Sequence, residues 1–486
     1  MFHRFCRNKY IKVLLLSAAV TTLSSCAGRS VLRQQKLAES VAKGDFLSAI
    51  EAIRDNENLY GRNNQFLYHM DIGVLFHYAG MYDSSNTYLM KAADVYDELF
   101  VRSVTNEAAS ILVNDNMRPY RSKPYELVHL HAFAALNFLA QGRSEDALVE
   151  VRRMQIHFNE WDRKDRRGTK YTNDGMFHLL ASMIYQEERE IDNAMISLFK
   201  AVRAYQEGPV PLPEVVRDYA YHMLVSSGRA SDTALLKISA PKKGSPWDFE
   251  SQGSEIVVVS YAGRGPSLRE TVWAGTYIKD GLLVLRHTDA DGKTSLISMN
   301  APGLPASEYQ KAAEGKETRS GTTFHIKVAL PALDTKPTRT NHFTVGVNDE
   351  SKTARSVEVN NIDLLAKDHL EENWGTTLGR TVIRVVLRTI SSQRAKERMR
   401  TDNPLLNLVL NLGTDVATSQ MERADVRSCF LLPGAIHITR IPVEPGTHDV
   451  EISAHDRNGN VISTEVLDNI QVRRGEKRFV FKHSFK

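Results

Sequence analysis

The sequence contains few cysteines and no long apolar run beyond its first residues. It has three cysteines, of which Cys6 and Cys26 lie near the start and Cys429 stands alone far downstream. If the start is processed as described below, no intramolecular disulfide is expected in the mature chain. After residue 26 no apolar stretch approaches the about 18 residues that a membrane-spanning helix needs. Neither a disulfide framework nor a second membrane span is therefore expected.

The sequence also lacks the short motifs of common enzymes. It contains no Gly-x-Ser-x-Gly, no Walker phosphate loop and no His-Glu-x-x-His. His129 and His131 are two positions apart, so on a helix they point in different directions and are expected to pack between helices or lie at the surface. Cys429 stands in an apolar segment and is expected to be a packed core residue. We therefore predict no catalytic residue, no metal ligand and no cofactor, although a site assembled from distant residues would leave no motif.

Beyond the first residues, the chain carries no excess of positive or negative charge. The formal net charge is +4, and Arg4, Arg7, Lys9 and Lys12 supply four of the positive charges. Without them the chain is close to neutral. Bulk electrostatic attraction to nucleic acid is therefore not expected.

The first residues have the three zones of a signal peptide. A basic start is followed by the short apolar run 13–20 and then by Leu23-Ser24-Ser25-Cys26. This segment resembles the lipobox of bacterial lipoproteins, which implies cleavage after Ser25 and a diacylglyceryl group on Cys26. Ala27, rather than Asp, follows, and the sorting rule of enteric bacteria then implies the outer membrane, facing the periplasm. The alternatives are an ordinary signal peptide or an uncleaved helical anchor.

From residue 35 to 240 the pattern is helical, after a short lipid-anchor linker at 26–34. A motif of Gly, one residue, an apolar residue, two residues and a small residue recurs, starting at Gly44, Gly80, Gly142 and, with Arg in place of Gly, Arg189. The first spacing is near the about 34 residues of a tetratricopeptide repeat (TPR). We expect a TPR-like solenoid whose concave groove binds a protein partner. The alternative is an unrelated helical bundle.

The segment 114–126 interrupts these helices with two prolines. Its arginines could bind carboxylates and its tyrosines could form rigid contacts, which predicts a partner-recognition surface. Alternatively, the segment is a structural plug that packs its tyrosines on the solenoid. The partner-binding candidates are Asn114, Asp115, Arg118, Tyr120, Arg121 and Tyr125.

Beyond the linker 242–246 the periodicity changes to that of strands. The region 250–486 is predicted to be strand-rich and sandwich-like, with a helical hairpin inserted at about 359–422, so that the fold class is α+β. Turn signals stand at Pro445-Gly446 and Asn458-Gly459. The expected strands are 255–261, 282–287, 324–330, 343–347, 435–443, 447–454 and 477–483.

The inserted helical region has a basic face. Arg380, Arg384 and Arg388 are spaced four residues apart and would lie together on one helix face. They are candidates for contact with anionic lipid or with an acidic partner. The alternative is a solvated helix face. A second helix is expected to begin at Pro404.

Several of these segments together resemble a poorly characterised family of bacterial lipoproteins with TPR-like helices. The resemblance implies a partner among other envelope lipoproteins, such as activators of cell-wall synthases or curli-type secretion pores, and no reaction. Where the family has an aromatic residue after Arg-Ser, this sequence has Cys429. The carrying segments are 73–92, 114–121, 134–138, Gly263-Arg264-Gly265-Pro266, and 424–428 before Leu432-Pro433.

We therefore expect a non-catalytic envelope adaptor that is anchored by its lipid and binds another protein. The alternative is an enzyme that acts on cell-wall glycan or peptide, with a site between the two halves. A cavity with paired carboxylates, or with Cys429 beside a histidine, would favour that alternative. A purely structural lipoprotein is a third possibility.

Overall fold

The computed structural model describes residues 37, 39–102, 115–164, 174–241, 247, 253–278, 282–300, 323–348, 352–399 and 423–485. The fold is mixed α+β, with helices in the first half of the chain and sheets in the second. Cys26, the anchor linker, Asn114, the linker 242–246 and the helix expected from Pro404 lie outside these ranges.

The first half consists of helices that follow one another in hairpins. Helices α2 and α3, α4 and α5, and α6 and α7 are each joined by a three-residue turn and pack against one another. The helices are α1 (Phe46–Asp55), α2 (Gln65–Tyr78), α3 (Tyr82–Arg102), α4 (Pro124–Ala140), α5 (Ser144–Lys164), α6 (Gly175–Glu187), α7 (Ile191–Glu207), α8 (Glu214–Ser226) and α9 (Ala230–Leu235).

The recurring glycine motif marks a turn of constant geometry. Gly44, Gly80, Gly142 and Arg189 all have φ between 58° and 75°. In each turn this residue donates to the carbonyl three positions earlier, and the next residue donates to the carbonyl five positions before itself. These are the bonds of a Schellman helix ending. Gly228, with φ 77° and the same bonds, is a fifth copy that the sequence pattern did not include.

Arg189 is the strained member of this set, because a side chain in the left-handed region costs about 1–2 kcal/mol. We expect Arg189→Gly to stabilise the protein by about 1 kcal/mol, since glycine's greater freedom in the unfolded chain cancels part of the gain. Urea unfolding measures this change. The matched control, Gly80→Ala in the equivalent turn, should lose a similar amount, and equal stability of all three proteins would contradict the assignment.

Small residues allow the helices of a hairpin to approach closely, as the sequence argument expected. A Cβ on Gly73 of α2 would lie 2.7 Å from Leu89 Cδ2 of α3. Ser85 Oγ donates to the Gly73 carbonyl at 2.7 Å. Leu89 and Ala92 are fully buried. The close contact of α2 with α3 therefore depends on the missing side chain at Gly73.

The second half forms three four-stranded sheets. Sheet A has the order β12-β1-β9-β8, sheet B β4-β3-β2-β5 and sheet C β11-β10-β6-β7. The strands are β1 (Glu255–Arg264), β2 (Ser267–Ile278), β3 (Leu282–Thr288), β4 (Thr294–Asn300), β5 (Thr323–Asp334), β6 (His342–Val347), β7 (Lys352–Arg355), β8 (Val357–Asn361), β9 (Pro433–Pro442), β10 (Gly446–His455), β11 (Val461–Val472) and β12 (Lys477–Ser484).

All seven expected strands are confirmed, and five others were missed. The described strand pairs are antiparallel apart from one: β12 runs parallel to β1, which makes sheet A mixed. The inserted helix, α10 (Ile362–Met399), begins later than expected, since the residues before it form β8 and pair with β9. It packs through Leu378, Val382 and Val385 on sheet B.

Sheet A is the middle layer between the helices and sheet C. Alternate side chains of β1 point to opposite faces. Val257, Val259 and Tyr261 belong to the core that contains the helices. Ile256 and Val258 belong to the core shared with sheet C. Burial on both faces explains the continuous apolar run of this strand.

Sheet A covers the inner side of the helical layer. The first helix of each hairpin, α2, α4 or α6, is buried around most of its circumference. Tyr261 of β1 bonds through its hydroxyl with His77 Nε2 at 2.8 Å, and the Tyr205 hydroxyl donates to the Val359 carbonyl at 2.6 Å. The expected open groove is thus occupied by the chain's own sheet. Within the described ranges, no helix combines the length and apolarity needed to cross a membrane.

Candidate functional site

The segment predicted to recognise a partner lies mostly inside the molecule. Tyr120 is 3% exposed and Tyr125 is 8% exposed. The Tyr120 hydroxyl donates to Glu126 Oε2 at 2.6 Å. Arg121 is exposed, and Arg118 keeps about a quarter of its side chain in solvent. Both tyrosines are therefore packed inside the molecule, as in the plug interpretation. Of the described candidates, Asp115, Arg118 and Arg121 keep part of their side chains in solvent.

Glu126, at the start of α4, holds this segment to the second half of the chain. Its carboxylate is fully buried and accepts from the backbone N–H of Cys429 at 3.0 Å and of Lys123 at 2.9 Å. Burial alone would raise the pKa of Glu126, but the charge of Lys123 and the hydrogen bonds outweigh it and lower that pKa. Glu126 is therefore an ionised group that fixes the Cys429 backbone, while the Cys429 side chain is buried as expected.

Arg427 is the centre of the contact between the two halves. Its guanidinium donates to both carboxylate oxygens of Asp425, at 2.8 and 2.7 Å. It also donates to the carbonyls of Arg118 at 2.9 Å and Asp115 at 2.8 Å, and to Asn64 Oδ1 at 3.0 Å. We call this set the Arg427 joint: Asn64, Asp115, Arg118, Tyr120, Lys123, Glu126, Asp425 and Arg427. Two of the segments that carry the family resemblance meet here.

The three arginines of the predicted basic face do not form one surface. Arg384 is only 2% exposed and donates to Asp115 Oδ2 at 3.1 Å, so its assignment to a basic surface is wrong. The helix turns this residue toward the segment 115–118, where its charge is neutralised. Arg380 is exposed and Arg388 is half-buried. Of the three, only Arg380 keeps the exposure that contact with an acidic partner needs.

The two histidines of α4 pack between helices, as one reading of the sequence expected. His131 Nδ1 lies 2.8 Å from Glu150 Oε2 of α5. His129 Nδ1 bonds to the Tyr125 carbonyl at 2.6 Å, and its Nε2 lies 3.3 Å from Asn360 Nδ2 of β8. Among the described residues, no cluster of three His, Cys, Asp or Glu side chains could hold a metal ion.

A polar cavity of about 160 Å³ lies where sheet A meets the start of α10, and we call it the Gly263 cavity. Gly263 and Gly434 form part of its wall, and a Cβ on Gly263 would lie 2.6 Å from Thr338 Cβ. The Thr340 hydroxyl is fixed at 2.7 Å from Ser484 Oγ. The charged residues that line the cavity are Arg264, Lys336, Glu358, Asp363 and Arg457.

Burial shifts the pKa values of two groups that line the Gly263 cavity, Asp363 and His437. Asp363 Oδ1 is buried and has no hydrogen-bond partner in the described part of the chain, and burial raises the pKa of Asp363 to about 6. Burial, together with the charge of His342, lowers the pKa of His437 to about 4, so this histidine is neutral at pH 7. Its Nε2 lies 3.9 Å from Glu358 Oε2, too far for a hydrogen bond. At neutral pH the lining carries three cations and two carboxylates.

Sequence reasoning did not select the residues of this cavity. The one sequence pattern that marks the described cavity is Gly263-Arg264-Gly265-Pro266. It contributes to the family resemblance but predicts no binding site. The Gly265 N–H donates to the Leu432 carbonyl, and a Cβ added to Gly434 would lie 3.1 Å from the Arg264 carbonyl oxygen. The segment 263–266 and the Leu432-Pro433 segment are therefore in contact, and their close approach forms one wall of the cavity.

Comparison with known proteins returned no relative for this chain: no family model matches it, and no curated protein matches it.

Proposed function

We propose that this protein is a lipid-anchored lipoprotein of the bacterial envelope that acts as a non-catalytic adaptor or scaffold in cell-wall or secretion assemblies. In this proposal residues 1–25 are removed, Cys26 carries the lipid and the chain faces the periplasm from the outer membrane. The helical half is interpreted as a TPR-like array, supported by the equal geometry of the turns at Gly44, Gly80, Gly142, Arg189 and Gly228. The proposed partner is another envelope protein, and no nucleic acid is involved.

The partner surface is placed on the outer face of the helices, since sheet A fills the inner face. Val149 and Ile156 of α5 are two turns apart on one side and are 44% and 57% exposed. Ile196 of α7 is 40% exposed. This row of exposed apolar side chains on a helical layer is the observation that carries the adaptor proposal, because scaffolds of this kind bind through such surfaces.

The two helices of this surface are held side by side. Arg152 of α5 donates to Glu190 Oε1 at 3.1 Å, and Lys200 of α7 donates to Gln155 Oε1 at 3.3 Å. Arg152 lies between Val149 and Ile156 on the same helix face, and Lys200 is one turn from Ile196. We name these five residues, Val149, Arg152, Ile156, Ile196 and Lys200, the outer strip. Its apolar side chains fit a partner with an apolar patch. Arg152 is already paired with Glu190, whereas Lys200 bonds to an uncharged group and can meet an acidic neighbour of that patch.

Site-specific crosslinking in living cells tests the outer strip. A photo-crosslinker at Ile156 should give one discrete adduct, and Val149→Glu in the same chain should reduce its yield by about tenfold, since a charge enters an apolar contact at a cost of about 1–3 kcal/mol. The matched control is a crosslinker at Val461, which is also 58% exposed but lies on β11. Equal adducts at both positions, or none at Ile156, would refute this surface.

The anchor is tested separately from the partner. Cys26→Ala should leave the chain without lipid and move it from the membrane fraction to the soluble fraction, because each buried methylene contributes about 0.8 kcal/mol to attachment. Intact-mass spectrometry should show fatty-acyl groups on the unsubstituted chain only. Absence of fatty-acyl groups from the unsubstituted chain, or their presence on the Cys26→Ala protein, would contradict the lipoprotein assignment.

A second candidate function is an enzyme that acts on cell-wall glycan or peptide in the Gly263 cavity. The presence of Glu358 and Asp363 in one cavity favours it, because a carboxyl group with a pKa near 6 can act as a general acid. Release of soluble fragments from purified peptidoglycan, lost on Asp363→Asn, would establish it. The adaptor is preferred because Glu358 is already bonded by Asn361 at 3.0 Å and no activated nucleophile faces the described cavity.

A further inference from the structure

The Gly263 cavity keeps opposite charges apart in one enclosed space. The side chains of Arg264, Lys336 and Arg457 form no hydrogen bond or ion pair with any residue in the described ranges, although Glu358 and Asp363 line the same cavity. In this cavity the backbone holds them on different elements: the end of β1, the segment after β5, the β10–β11 turn, β8 and the start of α10.

The elements that carry these groups are fixed. Arg264 is the last residue of β1, where its partner in the sheet is Pro433. Asp363 stands in the first turn of α10, directly after β8. The turn that carries Arg457 is closed by Asp456, which accepts from the backbone N–H of Asn458 at 2.8 Å and of Asn460 at 2.9 Å. The separation of charges is therefore built into the backbone.

Such a lining is complementary to a small molecule that carries both signs of charge. An anionic group would meet three cationic side chains that have no partner in the described part of the chain. An ammonium group would be attracted by the Asp363 carboxylate, whose buried Oδ1 has no hydrogen-bond partner among those residues. A cavity of about 160 Å³ holds several water molecules or one small polar molecule. A simple anion would leave Asp363 without a donor, and a simple cation would leave the arginines unpaired.

We propose that the Gly263 cavity binds a small zwitterion, a molecule with a carboxylate and an ammonium group such as a free amino acid or a dipeptide. Arg264 and Arg457 hold the carboxylate, Asp363 holds the ammonium group, and Lys336 adds positive charge at the mouth. This site is independent of the outer strip and requires no turnover. Either proposal can therefore fail without the other.

Calorimetric titration of the whole mature protein at pH 7.5 tests the site. The probes are L-alanine, D-alanine and alanylalanine, with acetate and methylamine as the two half-molecules. At least one zwitterion should bind about tenfold tighter than either half-molecule, because only the zwitterion satisfies both sets of charges. The free amino acids and the dipeptide differ in the distance between their charges. The one that binds more tightly therefore shows whether the cavity accepts a free amino acid or a dipeptide.

Variants distinguish this site from other surfaces. Asp363→Asn and Arg264→Gln should each weaken zwitterion binding by about tenfold or more. The controls are Asp468→Asn and Arg269→Gln, which change exposed residues outside the cavity and should bind unchanged. A third variant, Lys336→Gln, changes a residue in an exposed segment and is therefore expected to fold. Its weaker binding still tests the site if Asp363→Asn or Arg264→Gln does not fold.

Three results would overturn the proposal. The first is that no zwitterion binds saturably up to about 10 mM. The second is that acetate or methylamine binds as tightly as the zwitterions. The third is that the folded Asp363→Asn and Arg264→Gln variants bind a zwitterion as tightly as the unsubstituted protein.

Discussion

Replacement of Arg427 by methionine is expected to lower the free energy of unfolding by about 3–5 kcal/mol, the largest effect of any single substitution described. The guanidinium is 6% exposed and donates five hydrogen bonds. Methionine fills a similar volume but removes the guanidinium donors. Among the described residues, the Asp425 carboxylate then keeps only the backbone N–H of Arg427, the Asp115 carbonyl keeps only the N–H of Arg118, and the Arg118 carbonyl loses its bond to the guanidinium. Buried groups that lose a donor in this way each cost about 1–3 kcal/mol.

The measurement is urea unfolding of the two proteins at pH 7.5. Arg423→Met is the matched control, because Arg423 is an arginine of the same segment whose side chain is 43% exposed. Its bond to Glu270 Oε1 at 3.3 Å is a surface ion pair, so the control should change stability by less than about 1 kcal/mol. A loss below this value for Arg427→Met would show that the joint does not hold the two halves together.

Acidification is expected to destabilise the protein steeply between about pH 6.5 and pH 4. Burial lowers the pKa of His77 to about 4, even though its hydrogen bond with Asn137 opposes this shift. An unfolded histidine titrates near 6.5. Between the two values the unfolded chain binds a proton that the folded chain excludes, so stability is fully present above about pH 6.5 and is lost as the pH falls toward 4. Burial also lowers the pKa of other histidines, to about 3 for His178 and about 4 for His369, His437 and His483.

The geometry around His77 explains why it stays neutral. Its Nδ1 lies 2.6 Å from Asn137 Oδ1 and its Nε2 lies 2.8 Å from the Tyr261 hydroxyl. The rings of Phe133 and Phe481 lie 4.7 and 5.0 Å away, and the imidazole is buried among them, so a charge on it would lose its hydration. A depression of this size corresponds to about 3 kcal/mol for one histidine. Asp363 acts in the opposite sense, since its raised pKa lets the folded state bind a proton below about pH 6.

Urea unfolding at pH 7.5, 6.5, 5.5 and 4.5 measures this loss. His77→Gln should reduce the pH dependence by up to about 1.4 kcal/mol per pH unit, the contribution of one proton. Because glutamine keeps a donor and an acceptor, most of the bonding at Asn137 can be retained. Stability that is constant from pH 7.5 to 5, or a His77→Gln protein with an unchanged slope, would contradict the assignment of neutral buried histidines.

The helices of the first half and the turns between them could be predicted because their signal is local. Gly80 and Gly142 stand in turns that need a left-handed residue, and small residues follow where the helices touch. One sequence feature of the covered groove was not used: the residues of α4 are mostly apolar around the whole helix, and a helix of this kind is buried on most sides. An open solenoid would have left one face of that helix polar.

The strands that were missed lack the pattern by which the others were found. β2 begins with Ser267 and contains Arg269 and Glu270, so no apolar run marks it. β11 is an edge strand whose positions are mostly exposed or half-buried. By contrast, β1 lies in the middle layer and is apolar at almost every position. Burial on both faces therefore decided which strands were visible in the sequence.

The Arg427 joint and the Gly263 cavity could not be predicted from one sequence. Arg427 and the Arg118 carbonyl are 309 positions apart, and one of these partners is a backbone atom with no sequence signature. Arg118 and Tyr120 were selected for side-chain types that suit a partner surface, and the same properties suit an internal contact. Arg384 was placed on a surface because helical spacing identifies a shared face but not what covers it.

The central claim is that the helices and the strands form one folded unit, in which sheet A covers α2, α4 and α6. Expression of residues 35–240 alone tests it most directly, with near-UV circular dichroism, thermal unfolding and binding of an apolar dye as the readouts. The account predicts a fragment with helical content but no fixed aromatic environment, no cooperative transition and strong dye binding, since the inner faces are exposed. A fragment that unfolds cooperatively, with a native near-UV spectrum and no dye binding, would contradict it.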